Sequence, residues 1–359
     1  LAKIDKTTRL QYRTRVEEAF PDSLRFGSFG FKKKLSMRYG ENPGYPAAFY
    51  QELGASGPNM SSLELLQEGT KGLSYINIGD MDLGLRLVKK LSSIYKDRFI
   101  CVLVKHEMPS GAAMGDSVAE VFEKAWGCDP LSNFGSVDVF SGTIDKKTAE
   151  MVVEKGRNIE VMFAPGYTSE ALDILATRKP LRVVKIGASL DDPAIDNGLE
   201  FKRIVGGLLV QKRFDSKIVS PESVDVVSKR NPSPDEVEAA IFCWNVACFT
   251  RSNAIVIGKK DKVHGIGSGQ RSRIDAAEDA IRFSKRGYGS VGCVMASDAF
   301  IPFTDVVEIA AQSGITAIIY PLGSIRDQDV IDKADEMGLA MIVTKRSGET
   351  DSERCFLHR

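Results

Sequence analysis

Long apolar runs, metal-ligand spacings and any charge imbalance are missing from this chain of 359 residues. No stretch is long and apolar enough to cross a bilayer, and Leu1-Ala2-Lys3-Ile4-Asp5-Lys6 lacks a secretory-signal pattern. A cytoplasmic protein without a membrane is expected. Forty-eight basic residues balance 48 acidic ones, which excludes the broad cationic surface that nucleic acid requires. The six cysteines form no CxxC pair and lie mostly in apolar runs, which suits reduced, buried thiols rather than a disulfide framework. His106-Glu107 does not continue as HExxH and no PCxxC occurs, so no zinc is expected. Only three histidines are present, so each one carries weight.

At 43% hydrophobic and 27% charged residues the chain reads as globular, with length for two to three domain-sized cores. From about Phe99 onward, strand-like runs at 99–105, 137–140, 159–164, 181–186, 254–257, 290–296, 315–320 and 340–344 alternate with other elements. Between many of them lie amphipathic stretches at 116–126, 146–155, 169–178, 274–285, 304–312 and 328–337. Such alternation predicts α/β layers. Ser233 and Pro234 predict the cap and first turn of a helix running to about Thr250. The polar stretch 191–197 and this Pro-rich junction predict a unit over 1–195, a connector over 196–236 and a second unit over 237–359. The halves share a faint plan, in which the strand at 100–104 and the strand at 291–296 each run through a Pro-containing loop into a helix.

Several clusters carry chemistry. Lys105-His106-Glu107-Met108-Pro109-Ser110-Gly111 places an imidazole that titrates near neutrality beside an ammonium, in what reads as a Pro- and Gly-shaped loop. The same segment reads equally as a surface turn. Arg38-Tyr39-Gly40-Glu41-Asn42-Pro43 offers a guanidinium able to clasp a phosphate, or an ordinary loop. Gly265-Ile266-Gly267-Ser268-Gly269-Gln270-Arg271-Ser272-Arg273 precedes a helix and matches neither a P-loop nor GxGxxG. It is either an anion cradle at a helix N-terminus or a glycine-eased turn. Ser297–Asp305 joins two carboxylates to Phe300, Pro302 and Phe303, a composition that suits a stacked heteroaromatic ligand or simply core.

In order along the chain, RYGENP at 38–43, KHEMPSG at 105–111, SNFG at 132–135, EVMFAP at 160–165, SNA at 252–254, GIGSGQRSR at 265–273, SDAFIPF at 297–303 and RCFLH at 354–358 resemble one family. It is the aminoimidazole carboxamide ribonucleotide (AICAR) transformylases, the transformylase half of the bifunctional purine-biosynthesis enzyme. The resemblance implies two cytidine-deaminase-like α/β/α units joined by a helical connector, and a homodimer with sites at the subunit interface. It implies formyl transfer from 10-formyltetrahydrofolate to AICAR, without zinc. Lys105 and His106 match the catalytic pair, and Asn253 an Asn that orients the substrate. Arg38, Tyr39, Asn77, Phe134, Gly135, Glu160, Arg354 and His358 match the nucleotide side, and Arg273, Phe300, Pro302, Phe303 and Asp305 the folate side.

Two departures stand out. The family usually continues its RYG motif as NPHQ, where this chain has Asn42-Pro43-Gly44-Tyr45, and it often has Asn where Met108 stands. These departures support the rival expectation of a nucleotide- or folate-binding homologue without turnover. A zinc deaminase of similar architecture is disfavoured by the missing cysteine ligands. Fewer than forty residues precede Arg38, so ring closure of formyl-AICAR is expected from a separate IMP cyclohydrolase.

Overall fold

The computed structural model describes residues 14–192, 198–213 and 216–344. The protein is mixed α/β. Strands β1 (Ser23–Phe26), β2 (Phe29–Ser36) and β3 (Ala48–Glu52) form an antiparallel sheet, followed by β4 (Glu64–Gln67) and helix α1 (Tyr75–Ile94). Next come β5 (Phe99–Lys105), β6 (Met108–Gly115), α2 (Val118–Trp126), β7 (Ser136–Phe140), α3 (Lys146–Val153), β8 (Ile159–Ala164), α4 (Ser169–Ala176) and β9 (Arg182–Lys185). A hairpin of β10 (Leu199–Ile204) and β11 (Gly207–Lys212) and the short β12 (Asp225–Val226) lead to α5 (Pro234–Ala247). The chain continues through β13 (Ile255–Lys259), β14 (Lys262–Gly267), α6 (Arg273–Ser284), β15 (Val294–Ser297), α7 (Asp305–Gln312), β16 (Ala317–Tyr320), α8 (Asp327–Met337) and β17 (Ala340–Val343).

The described parts of Leu1–Arg86, Val104–Glu107 and Gly135–Asn197 make one compact unit; Leu87–Leu103, Met108–Phe134 and the described parts of Gly198–Arg359 make another. This spatial division differs from the sequential one expected near residue 195. Its cause is strand pairing: β6 joins β14, with Ala113 opposite Lys262, so residues 108–134 pack with the C-terminal elements. In the first unit β7, β8 and β9 run parallel and β4 closes them antiparallel to β9. In the second, the strand order is β12-β17-β16-β15-β13-β14-β6. Its core sets Ile255, Met295, Ile318 and Met341 against Ala276, Ala280, Val306 and Val330 of the helices. Burial of such side chains removes apolar area from water and is the main force holding each layer together.

Residues 198–233, expected within a helical connector, contain the β10–β11 hairpin, a 3-10 turn at Pro221–Ser223 and β12, with no α-helix among the described residues. Gly206, at φ +76°, supplies the left-handed turn residue that returns the chain between Ile204 and Gly207. Helix α5 begins as expected: the Ser233 hydroxyl accepts the Glu236 amide, the Glu236 carboxylate accepts the Ser233 amide, and Pro234 occupies the first turn.

The internal repeat is stronger than the sequence suggests, and its alignment is different. The order α1-β5-β6-α2-β7-α3-β8-α4-β9 recurs as α5-β13-β14-α6-β15-α7-β16-α8-β17. The equivalent of β5 is therefore β13, not the strand at 291–296. Two glycines fix the match. A Cβ on Gly111 in β6 would lie 2.3 Å from the Ala125 carbonyl oxygen, and one on Gly265 in β14 would lie 2.1 Å from that of Ala280. Ala125 and Ala280 are each the eighth residue of the following helix. In both repeats the helix backbone presses on the second hairpin strand where only glycine fits.

Candidate active site

The Lys105–His106 pair lies on a hairpin turn, not on a Pro- and Gly-shaped loop. Lys105 ends β5, His106 and Glu107 are the whole turn, and Met108, Pro109, Ser110 and Gly111 already belong to β6. His106 (φ +55°) and Glu107 (φ +56°) are the only non-glycine residues with positive φ among those described. Two-residue hairpin turns of this kind ordinarily use Asn-Gly or Asp-Gly. Holding side-chain-bearing residues there costs on the order of 1–3 kcal/mol each, which surrounding contacts must offset.

Asp80 supplies such contacts. It lies on α1, is 4% exposed, and accepts the Glu107 amide at 2.5 Å. Burial pushes its carboxyl up to about 6, against the pull of the Glu107 and His106 amides and of the His106 charge. The His106 ring is exposed, Lys105 is half-buried, and a Cβ on Gly135 (φ +86°) would sit 4.0 Å from Lys105 Nζ.

The same unit holds most of the residues expected on the nucleotide side. Arg38 is 7% exposed, stacks its guanidinium 4.5 Å from the centre of the Tyr39 ring and donates to the Tyr39 hydroxyl at 3.0 Å. Its Nε and Nη1 are buried without a hydrogen-bond partner among the described residues. An unpaired guanidinium edge in a dry site is costly unless an anion completes it. Asn77 donates to Glu160 Oε2 at 3.1 Å, and that oxygen lies 3.7 Å from Arg182 Nη1. Arg182 also donates to the Gly72 carbonyl at 2.8 Å. Burial lowers the Arg182 pKa, and the neighbouring Arg38 charge adds to the effect while Glu160 opposes it. Two neighbouring buried cations, with one carboxylate beside Arg182, favour an anionic visitor. Arg182 was not among the sequence candidates; a lone arginine inside the apolar run 181–186 was the signal. Beside the RYGENP motif opens a cleft of about 530 Å³, lined by Phe20, Gly40, Glu41, Asn42, Tyr45 and Tyr75. Tyr45, one of the two departures, thus forms part of its wall.

The second unit gathers another set. Arg273 Nη1 donates to Ser297 Oγ at 2.9 Å and to Asp298, and its Nη2 donates to Asn253 Oδ1 at 2.8 Å. The Asn253 amide nitrogen then donates to the Gln270 carbonyl at 2.9 Å. The Ser252–Asn253 peptide is cis. Arg273, expected on the folate side, spends its guanidinium bracing Asn253 against the start of the SDAFIPF motif. Farther along that motif Phe303 is 53% exposed, with the Arg326 guanidinium 5.2 Å from the centre of its ring, and Asp305 opens α7 by accepting the Val306 amide. Phe300 and Pro302 are half-buried. Gly265 and Gly267 of GIGSGQRSR are strand residues pressed against α6, so helix packing explains both without an anion. Met108, the other departure, accepts a contact from the Ser268 hydroxyl at 3.3 Å. Phe134, in this unit, is 56% exposed.

Arg354 and His358 lie outside the described residues. Among the described residues no three of His, Cys, Asp and Glu stand close enough to share a metal ion, and no helix is long and apolar enough to cross a membrane. A family model described as AICARFT/IMPCHase bienzyme matches residues 3–283. That span includes Arg38, Tyr39, the Lys105–His106 turn, Asn253 and Arg273; Phe300 to Asp305 fall after it.

Proposed function

The chain belongs to the AICARFT/IMPCHase bienzyme family of purine-biosynthesis enzymes, and from that premise we propose that it moves the formyl group of 10-formyltetrahydrofolate to the 5-amino group of AICAR. The amine nitrogen bonds to the formyl carbon, the bond from that carbon to the folate nitrogen breaks, and formyl-AICAR and tetrahydrofolate leave. The amine is a weak nucleophile, because its lone pair is delocalised into the imidazole and carboxamide. Rate therefore depends on holding the two ligands together. His106 removes the amine proton as the new bond forms, and the leaving folate nitrogen takes up a proton. Lys105 steadies the negative charge on the formyl oxygen. Arg38, with its open guanidinium edge, and Arg182 hold the nucleotide phosphate, and Asn253 orients the substrate.

The observation that carries this reading is the His106–Glu107 turn: two side-chain-bearing residues kept in the left-handed region beside a half-buried lysine. Strained backbone of this kind concentrates at working sites. The test is a spectroscopic formyl-transfer assay with AICAR and 10-formyltetrahydrofolate. Formyl-AICAR is the expected product; ligand binding without turnover would assign the chain to the non-catalytic alternative.

A homodimer belongs to the same reading. The β10–β11 hairpin exposes Phe201, Ile204, Val205, Leu208, Leu209 and Val210, and an isolated two-stranded hairpin is marginal in water unless it is covered. Sedimentation should give a dimer that Val205→Asp weakens. A monomeric parent protein would remove the dimer from the proposal.

A further inference from the structure

The sequence places His-Glu where a two-residue hairpin turn calls for glycine or asparagine. Histidine visits the left-handed region more readily than most residues, but nothing in the Glu107 side chain favours it, and two such residues in succession must be held by contacts outside the turn. Helix α1 presents two adjacent residues that do this. At Gly79 a Cβ would lie 2.6 Å from Glu107 Oε1, so glycine gives the turn room to lie against the helix. At Asp80 a carboxylate with 4% exposure faces the turn, accepts the backbone amide of Glu107 at 2.5 Å and attracts that of His106. One buried acceptor holds the Glu107 amide and so fixes the peptide plane between His106 and Glu107. The direction in which His106 leaves the backbone then follows from Asp80.

We propose that Asp80 is the positioning residue of the transferase: a clamp on the His106–Glu107 turn that aims the imidazole without touching substrate. The proposal rests on the reading of His106 as the base. A structural role alone, tying α1 to the hairpin, would change stability but leave kcat unmoved and unrescued by loosening the turn. Glycine at 107 separates the two roles, because it relieves the left-handed strain that the clamp holds in place.

The experiment compares the parent protein with Asp80→Ala, Asp80→Asn and Asp80→Ala/Glu107→Gly, reading kcat, the KM for AICAR and amide hydrogen exchange at His106 and Glu107. A misaimed catalytic group costs about 100-fold. Asp80→Ala should lower kcat by about that factor with KM within about threefold. Asp80→Asn, which keeps an acceptor, should stay within about tenfold of the parent, and the added Glu107→Gly should recover at least about tenfold in the alanine background. Loss of protection at both amides in Asp80→Ala should accompany the fall in kcat. A kcat within about threefold of the parent in Asp80→Ala would overturn the clamp, as would a loss that the glycine fails to recover. Should Asp80→Ala not fold, Asp80→Asn decides: a kcat unchanged together with lost protection at both amides overturns the proposal, and the two falling together supports it. A parent protein inactive in formyl transfer would defeat the functional reading instead. The clamp would then stand or fall on amide protection alone, retained protection in Asp80→Ala counting against it.

Discussion

Two hairpins at equivalent places in the repeat have gone different ways. Both follow a helix, both precede one, and both use a glycine, Gly111 or Gly265, where the next helix backbone presses on the second strand. The β13–β14 hairpin turns through Lys260-Asp261 with ordinary φ angles and takes up its extra residue as an irregularity between Ile257 and Gly258. Its turn residues make ion pairs, Lys260 with Asp235 on the solvent side and Asp261 with the half-buried Lys124. The β5–β6 hairpin turns through His106-Glu107, both left-handed, over the buried Asp80. One turn is relaxed and paired outward; the other is strained and clamped from beneath. A fold that repeats itself can thus keep one copy of a hairpin relaxed and hold the other strained, which is the copy that the proposed function assigns to chemistry.

The largest expected effect tests the part that the hairpins share. Gly265→Ala forces a Cβ onto a helix carbonyl, and β14 and α6 cannot both keep their places. A loss of about 3 kcal/mol or more is expected in denaturant unfolding, with Gly111→Ala losing a similar amount. A near-neutral result at either position would break the equivalence.

A smaller effect sharpens the contrast one strand farther on. In β7, Asp138 occupies the register position that Met295 holds in β15, as the pairings of β7 with β8 and of β15 with β16 show. It is fully buried with Ser136 Oγ as its hydrogen-bond donor, and burial raises its carboxyl to about 7 against the pull of that bond. A carboxyl whose folded pKa exceeds its unfolded value binds more protons when folded. Stability therefore falls as pH rises from about 4 to about 7, and the penalty is complete above that range. Asp138→Asn should stabilise the protein by roughly 2 kcal/mol at pH 8 and by nothing near pH 3, where both states are protonated. Equal effects at the two pH values would mean that ionisation of Asp138 does not carry the cost.

Much of this was legible in the sequence, and the exceptions have physical causes. The run 159–164 became β8 with the same bounds, and Ser233-Pro234 capped a helix as expected, because apolar period and capping are local signals. Strand β6 was hidden by Pro109, Ser110 and Gly111, residues that usually mark turns; here the glycine answers to Ala125, which only the fold brings close. Helix α1 precedes the alternation read from Phe99 onward, and it carries Gly79 and Gly84, a residue type that weakens a helical pattern. At Gly84 a Cβ would lie 2.5 Å from Val139 Cγ2, so glycine serves helix-to-strand approach. Lys105, His106 and Arg38 stood out as candidates by type and motif, and Asn77 only through the family resemblance. Asp80 did not, since its partner Glu107 is 27 residues away and only the turn gives the carboxylate meaning.

The most direct measurement sets equivalent turn residues side by side: formyl-transfer kcat of His106→Ala and Lys260→Ala against the parent, with unfolding curves for each. Both side chains are exposed, so both variants should stay folded to within about 0.5 kcal/mol. His106→Ala should lose at least about 100-fold in kcat, and Lys260→Ala should stay within about twofold. Near-parental turnover by His106→Ala, or equal losses in the two variants, would contradict the assignment of chemistry to the strained turn.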